Sequence, residues 1–297
     1  MLVLMHLVLI SGLSGSGKSV ALKVLEDADY YCVDNLPSQL LQPLVGHLGL
    51  QGYDKVGVAI DIRGGDSVAM LPLQLEALRA NELDLQFLFL DAQDSTLIKR
   101  YSETRRRHPL ASDQLTLTEA IAEERIRLGE LVALGHHIDT SGVKASVLRT
   151  WVRQFVTRDP SVDARLGLTL LFESFGFKHG IPLDADLVFD VRCLPNPHYD
   201  PLLRPFTGRD APVIDFLEAE PEVLRMRNDI AGFLRAWLPS YVQDSRNYLT
   251  VGIGCTGGQH RSVYLAEWLK SEFEGCARVL VRHRELRSPA MLAAGNS

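Results

Sequence analysis

The sequence predicts an α/β fold in two parts: a doubly wound parallel sheet, then a second α/β domain built around a phosphate-binding loop. Three observations carry this. Short apolar runs alternate with amphipathic helical stretches, the pattern of parallel strands joined by helices. The first run, Leu7 to Ile10, feeds the glycine-rich stretch Gly12-Leu13-Ser14-Gly15-Ser16-Gly17-Lys18-Ser19. A polar, proline-containing stretch at 157–162 interrupts the alternation, which then resumes, so the domains are placed at 1–158 and 159–297.

Taken in order, residues 19–28 read as a helix with Val20, Leu22, Val24 and Leu25 inward, and 30–33 as a short strand ending at Asp34. Leu40, Leu41, Leu44 and Leu48 have helical spacing, and 56–60 is a strand ending at Asp61. A helix over 67–80 precedes a continuous apolar strand at 85–90 ending at Asp91. Residues 95–107 form a helix that turns basic, and 116–134 a helix with Thr118 as its N-cap. A strand at 136–139 and a helix over 143–156 complete the first domain. In the second, strands are expected at 166–172, 186–190, 248–254 and 279–281, helices at 221–238 and 259–273, and a proline-rich loop at 193–205.

Composition narrows the class. The 297 residues are 46% hydrophobic and 23% charged, ordinary for a globular protein with a sizeable core. The longest apolar runs fall short of a membrane span. Met1 to His6 has the apolar start of a signal peptide without its basic region or cleavage site, and Met5 is an alternative start. Cys32, Cys193, Cys255 and Cys276 show no paired spacing, which fits a cytoplasmic protein without a zinc site. The net charge of −6 confines nucleic-acid contact to a local basic patch.

Gly12-x-x-x-x-Gly17-Lys18-Ser19 is a P-loop pattern, which makes the first domain P-loop kinase-like. Its glycines let the backbone approach phosphate oxygens, and the loop amides and helix N-terminus face the anion. Lys18 is expected to stand exposed in the empty loop and to reach the β/γ-phosphates. The Ser19 hydroxyl is expected to ligate Mg²⁺. Asp61 ends a strand, as a Walker B carboxylate does, and Asp61-Ile62-Arg63-Gly64 also fits the D-x-x-G of GTP-binding switches. Asp34 and Asp91 compete for that role. Arg105, Arg106 and Arg107 stand where a lid would fold over the triphosphate.

Gly254-Cys255-Thr256-Gly257-Gly258-Gln259-His260-Arg261-Ser262 is a second anion nest between strand and helix. It also satisfies the Cys-x5-Arg-Ser pattern of thiol phosphatases, in which Cys is the nucleophile and Arg clamps phosphate. The histidine usual before that cysteine is Gly254 here, so passive phosphate binding is favoured over phosphatase chemistry. His179, Asp190 and His198 are candidate pocket residues. Arg278, Arg282, Arg284 and Arg287 against Glu285 leave a local charge of +3, an expected RNA backbone contact.

Together these motifs resemble the RapZ family of P-loop nucleotide-binding proteins, which includes RNase adapters. The resemblance rests on residues 12–19, Val33 to Pro37, Asp61 to Arg63, Arg100 to Arg106, His108 to Leu110, Phe172 to Gly180, Arg192 to Pro197 and Gly254 to Ser262. It implies ATP bound by residues 12–19, GTP by residues 61–64, and weak ATPase/GTPase activity, with Lys18, Ser19 and Asp61 catalytic and Mg²⁺ as cofactor. It further implies a cytoplasmic homo-oligomer that binds small RNA, presents it to a ribonuclease and senses a hexosamine phosphate such as glucosamine-6-phosphate. That phosphosugar would sit on Cys255, Thr256, Gly257, Gly258, His260, Arg261 and Asp190. Enteric members end in a lysine-rich tail, and this chain has arginines there instead. A small-molecule kinase using Asp34 and the arginine lid, and a thiol phosphatase centred on Cys255, are the alternatives.

Overall fold

The computed structural model describes residues 5–63, 70–79, 83–111, 115–157, 168–244, 246 and 248–286. The chain divides into two compact units, Met1–Arg158 and Asp159–Ser297. Every strand pairing in either unit is parallel, so each sheet presents all its carboxyl ends on one edge.

The N-terminal sheet has the order β2-β3-β1-β4-β5. Its strands are β1 His6–Gly12, β2 Tyr31–Val33, β3 Lys55–Ala59, β4 Asp84–Asp91 and β5 His136–Asp139. The connecting helices are α1 Lys18–Glu26, α2 Leu41–Leu50, α3 Leu71–Arg79, α4 Asp94–Thr104, α5 Leu117–Leu128 and α6 Ala145–Val156. The strands are apolar on both faces because helices cover both. Leu7, Leu9, Val56, Val58, Phe87 and Phe89 pack with Leu75 and Ile121 in one core. The central β1 pairs with β3 and β4, and its last residue, Gly12, lies in register with Leu90. The loop after β1 therefore emerges beside the ends of β3, β4 and β5, where open α/β sheets bind ligands.

The C-terminal sheet has the order β7-β8-β6-β9, with β6 Thr169–Gly176, β7 Leu187–Asp190, β8 Tyr248–Cys255 and β9 Arg278–His283. Its helices are α7 Ala211–Glu218, α8 Pro221–Gln243 and α9 Arg261–Phe273. Leu170, Phe172, Val251, Ile253, Leu234, Leu265 and Phe273 form its core. The register sets Gly176 opposite Cys255 and Asp190 opposite Gly254.

Several boundaries differ from expectation for local reasons. The cap of α5 is Thr116, not Thr118. Its side chain accepts from Glu119 N–H, and the Glu119 carboxylate accepts from the Thr116 N–H at 2.8 Å, a complete capping box. The helix ends at Leu128, and 129–134 continue as 3₁₀ turns. The basic helix stops at Thr104, where Arg105 turns left-handed with φ of 53°. The first strand of the second unit falls at Thr169–Gly176, later than 166–172. Residues 67–69, 80 and 166–167, included in expected elements, lie outside the described residues. The short helix α7 had no counterpart in the sequence reading; Pro212 in its first turn and Val213 and Leu217 facing inward define it.

The capping box gives a direct check. Thr116→Ala removes one acceptor and frees Glu119, at a cost of about 1 kcal/mol. The thermal midpoint should fall by about 2–4 °C. Thr118→Ala, at an exposed position without a capping bond, should leave it in place.

Candidate functional site

The loop after β1 is held open by glycine geometry and by braces on three sides. Leu13 N–H donates to the Leu90 carbonyl at 3.1 Å, fastening the loop to the end of β4. Gly12 has φ of +137°, and a Cβ there would run into the Leu90 carbonyl, so only glycine fits. From α4, Arg100 donates to Gly15 O at 2.9 Å and to Thr140 Oγ1 and O at 3.0 and 2.7 Å. Thr140 Oγ1 also lies 2.9 Å from both Ser16 O and Asp91 O. Leu13 packs its side chain into the core and offers only backbone to a ligand.

The third brace is a buried carboxylate. Glu124 of α5 accepts from Ser14 N–H at 3.0 Å and from Ser14 Oγ at 2.8 Å. Its Oε2 also lies 3.0 Å from His108 Nε2, and both side chains have 0% exposure. Leu110 N–H donates to His108 Nδ1 at 3.1 Å, so the ring proton resides on Nε2 and points at Glu124.

Lys18 does not stand exposed. It is partly buried, and its Nζ donates to the Gly12 carbonyl at 2.6 Å, because the concave loop offers that acceptor to the ammonium. Burial pushes the Lys18 pKa down, Arg63 adds to the fall, and Glu124, Asp61 and Asp34 oppose it. Ser19, one residue on, is exposed.

Asp61 is buried at the end of β3. Its Oδ1 accepts from Arg63 N–H at 2.9 Å, and its Oδ2 from Arg63 Nε and Nη2 at 2.9 and 2.6 Å. These three bonds leave one acceptor position on Oδ1, enough for a metal-bound water. That donor set, one hydroxyl and one carboxylate, fits Mg²⁺, which keeps several waters and takes phosphate oxygens. Ile62 packs into the core, so its side chain is not offered to a nucleotide, contrary to the expected GTP contact. Gly64 lies outside the described residues. Asp91 is committed elsewhere: Arg125 Nη1 holds both its oxygens at 2.9 and 2.8 Å, and His137 Nε2 is 3.5 Å away. Burial raises its pKa, but His137 and Arg125 outweigh burial and lower it. Asp34 is exposed at the end of β2, and Arg105, Arg106 and Arg107 are exposed beyond α4.

The second nest lies where β8 ends. Gly258 has φ of +70°, and a Cβ would meet Gly176 N–H and Glu285, so the loop can lie against the end of β6 only with glycine there. Cys255 is buried, with Sγ 3.2 Å from Ser262 Oγ and from the donating Gly258 N–H. Burial pushes its pKa up, but the Ser262 hydroxyl and amide, the Gly258 amide and Arg261 together bring it below the usual thiol value. Arg261 donates through Nη1 to the carbonyls of Arg192 and Leu194, both at 2.9 Å, and through Nη2 to Thr256 Oγ1 at 3.3 Å. Among the described residues, neither its buried Nε nor His260 Nε2 has a hydrogen-bond partner. Burial lowers the His260 pKa and keeps the ring neutral, 6.2 Å from His198. Asp190 is exposed and forked onto Arg192, which stacks on Phe177 at 4.1 Å. His179 pairs instead with Glu285 at 3.3 Å.

Sequence reasoning gave no role to Glu124, Arg100, Thr140 or Arg192. Glu124 left a signal: it sits with Ile121 and Leu128 on the inward face of α5, and a charge on an apolar stripe implies a buried partner.

The basic C-terminal patch needs correction. Arg282 is 2% exposed, 3.9 Å from Asp184, and its ladder neighbour on β6 is Glu173. Arg284 lies 3.6 Å from Glu173. Acidic residues distant in sequence thus neutralise the cluster, and neither arginine is presented to an RNA backbone. Arg278 is half-buried on β9, and Arg287 lies outside the described residues. His283 completes the pattern, with Nδ1 2.7 Å from Ser174 Oγ and Nε2 2.9 Å from Glu267, which also pairs with Arg209.

This cluster sets an acid limit. His283 and Arg209 hold the Glu267 carboxyl down to about 2 from 4.5, against the opposing effect of burial, and burial lowers the His283 pKa from 6.5. Both groups bind fewer protons folded than unfolded, so their stabilisation is complete at neutral pH and lost on acidification. In urea titrations, Glu267→Gln should lower the midpoint at pH 7, and the gap to wild type should close between about pH 4.5 and 2. A gap unchanged with pH would refute the assignment.

Comparison with known proteins places the chain. Residues 5–159 match the family model for the RapZ-like N-terminal domain, and residues 168–287 match the RapZ C-terminal domain. A nucleotide-binding protein of Dechloromonas aromatica is 64% identical over 95% of this chain and 99% of its own length. One from Aromatoleum aromaticum is 62% identical over 94% of each chain. Among solved structures, a shikimate kinase from Bacteroides thetaiotaomicron aligns at 12% identity and a TM-score of 0.36, over 51% of this chain and 96% of its own. With both domain models matched in order and relatives similar over nearly the whole length, the chain belongs to the RapZ family.

Proposed function

We propose that the N-terminal unit binds a nucleoside triphosphate, ATP or GTP, and hydrolyses it slowly. The observation that carries this is Lys18 seated on the Gly12 carbonyl inside a braced, glycine-shaped loop, with Ser19 open beside it. A triphosphate would replace that carbonyl as the partner of the ammonium, and the loop amides of 15–19 would face its oxygens. Ser19 and, through water, Asp61 would hold Mg²⁺, which supplies charge neutralisation on the β- and γ-phosphates. The names of the close relatives, all nucleotide-binding proteins, support the same reading. Lys18→Ala should abolish hydrolysis and weaken triphosphate binding while the fold survives. Phosphate-release assays and calorimetry on the purified variant check this, and unchanged hydrolysis removes the P-loop from the mechanism.

The C-terminal nest is assigned to a phosphomonoester, with a hexosamine phosphate as the candidate that family membership favours. Its support is the pinned Arg261 with an unsatisfied Nε beside fixed amides. Roles as an RNA-binding adapter for a ribonuclease and as a cytoplasmic homo-oligomer rest on family membership alone. Thiol phosphatase chemistry is the second reading, favoured by the lowered Cys255 pKa. Glucosamine-6-phosphate should raise the melting temperature, and glucosamine at equal concentration should not. Arg261→Ala should lose the shift and Cys255→Ser should keep it. Phosphate release from the ligand, abolished in Cys255→Ser, would favour the phosphatase instead.

A further inference from the structure

The exposed arginines 105–107 are strung between two buried anchors that bear on neighbouring P-loop residues, Gly15 and Ser14. The first anchor is Tyr101 on the last turn of α4, whose carbonyl accepts from Arg105 N–H at 2.9 Å. The Tyr101 ring lies 3.4 Å from where a Cβ on Gly15 would stand. The second anchor is His108, 5.3 Å from the Tyr101 ring between centroids. His108 gives its Nε2 proton to Glu124, and Glu124 takes the amide and hydroxyl of Ser14. Arg105, Arg106 and Arg107 are the three residues between the end of α4 at Thr104 and His108, so a shift of either anchor reaches them through the backbone.

We propose that Glu124 is a positioning residue, a buried acceptor that joins the first half of the P-loop to His108 so that an occupant of the loop also repositions Arg105–Arg107. This rests on the nucleotide reading above and adds how the loop and the arginines are coupled. An acceptor is dictated by donor count. Three groups converge on one side chain: the Ser14 amide and His108 Nε2 both donate to Oε2, which must therefore be an acceptor, and the Ser14 hydroxyl donates to Oε1. His108 cannot change tautomer to relieve a mismatch, because Leu110 N–H occupies Nδ1. A glutamine can keep its oxygen at the Oε2 position and turn its N–H₂ to the Ser14 hydroxyl, which then accepts, whereas a methionine of similar length offers the donors no comparable acceptor and breaks the link with little change in packing. The coupling is therefore a hydrogen-bond device, separable from the shape of the core.

The test uses the full chain, trypsin, Mg²⁺ and non-hydrolysable ATP and GTP analogues, with analogue binding measured in parallel. Trypsin cuts after arginine, and fragment masses report cleavage at 105, 106 and 107. In wild type, saturating analogue should slow cleavage there several-fold. In Glu124→Met at saturating analogue, that protection should be lost while cleavage elsewhere is unchanged. Ser14→Ala, which removes only the hydroxyl donor, should lose part of the protection; it serves as the deciding variant if Glu124→Met does not fold. Bound analogue without protection in wild type, or full protection in the folded variants, overturns the proposal. Failure of wild type to bind either analogue is a different result and removes the nucleotide reading itself.

Discussion

Glu124 brings a negative charge into the interior of the N-terminal unit, and the loop built to bind anions hangs on it. A buried carboxylate survives only where donors replace water, and here the donors are a P-loop amide, a P-loop hydroxyl and a neutral imidazole. The cost is recovered as order: Ser14 has one position, and the loop need not be organised by its ligand. The same charge acts on Lys18, where it opposes the fall in pKa that burial produces. Asp61 and Asp34 act in the same direction. Lys18 gives its own bond to a neutral carbonyl, a partner that a charged phosphate oxygen readily displaces.

The two loops are held in shape by different means. Around the first, cation and carboxylates are balanced, and glycine geometry exposes the amides. In the second, Arg261 is fixed by two carbonyls and a threonine hydroxyl, and among the described residues no carboxylate lies within ion-pair distance of it. Asp190, the nearest candidate by sheet register, is occupied by Arg192. The Arg261 charge is positioned but not cancelled, which is what a bidentate phosphate contact requires.

Local chemistry was legible in the sequence and distant pairing was not. The P-loop, the strand-end aspartates and the Cys255 nest each depend on a few adjacent residues, so spacing placed them at the ends of strands. The Thr116 cap was missed by two residues because the apolar pattern around 116–121 fits either threonine; the reciprocal bond to Glu119 selects one. Lys18 was expected to be exposed because spacing says nothing of a carbonyl across the loop. Ile62 matched a motif by identity, yet its side chain belongs to the core.

The C-terminal arginines show why a local charge count misleads. Along the chain, residues 278–287 look like an unopposed basic run. In the sheet, β9 pairs with β6, and the ladder sets Arg282 opposite Glu173 and His283 opposite Ser174, 109 residues away in sequence. Parallel pairing always joins residues separated by at least a crossover, so the neutralising charges are never visible in a short window. A basic edge strand that must be buried on one face needs acidic partners from the neighbouring strand or loop, and Glu173 and Asp184 meet that need. Arg282 is thereby part of the packing of the sheet, and its charge is spent inside the domain.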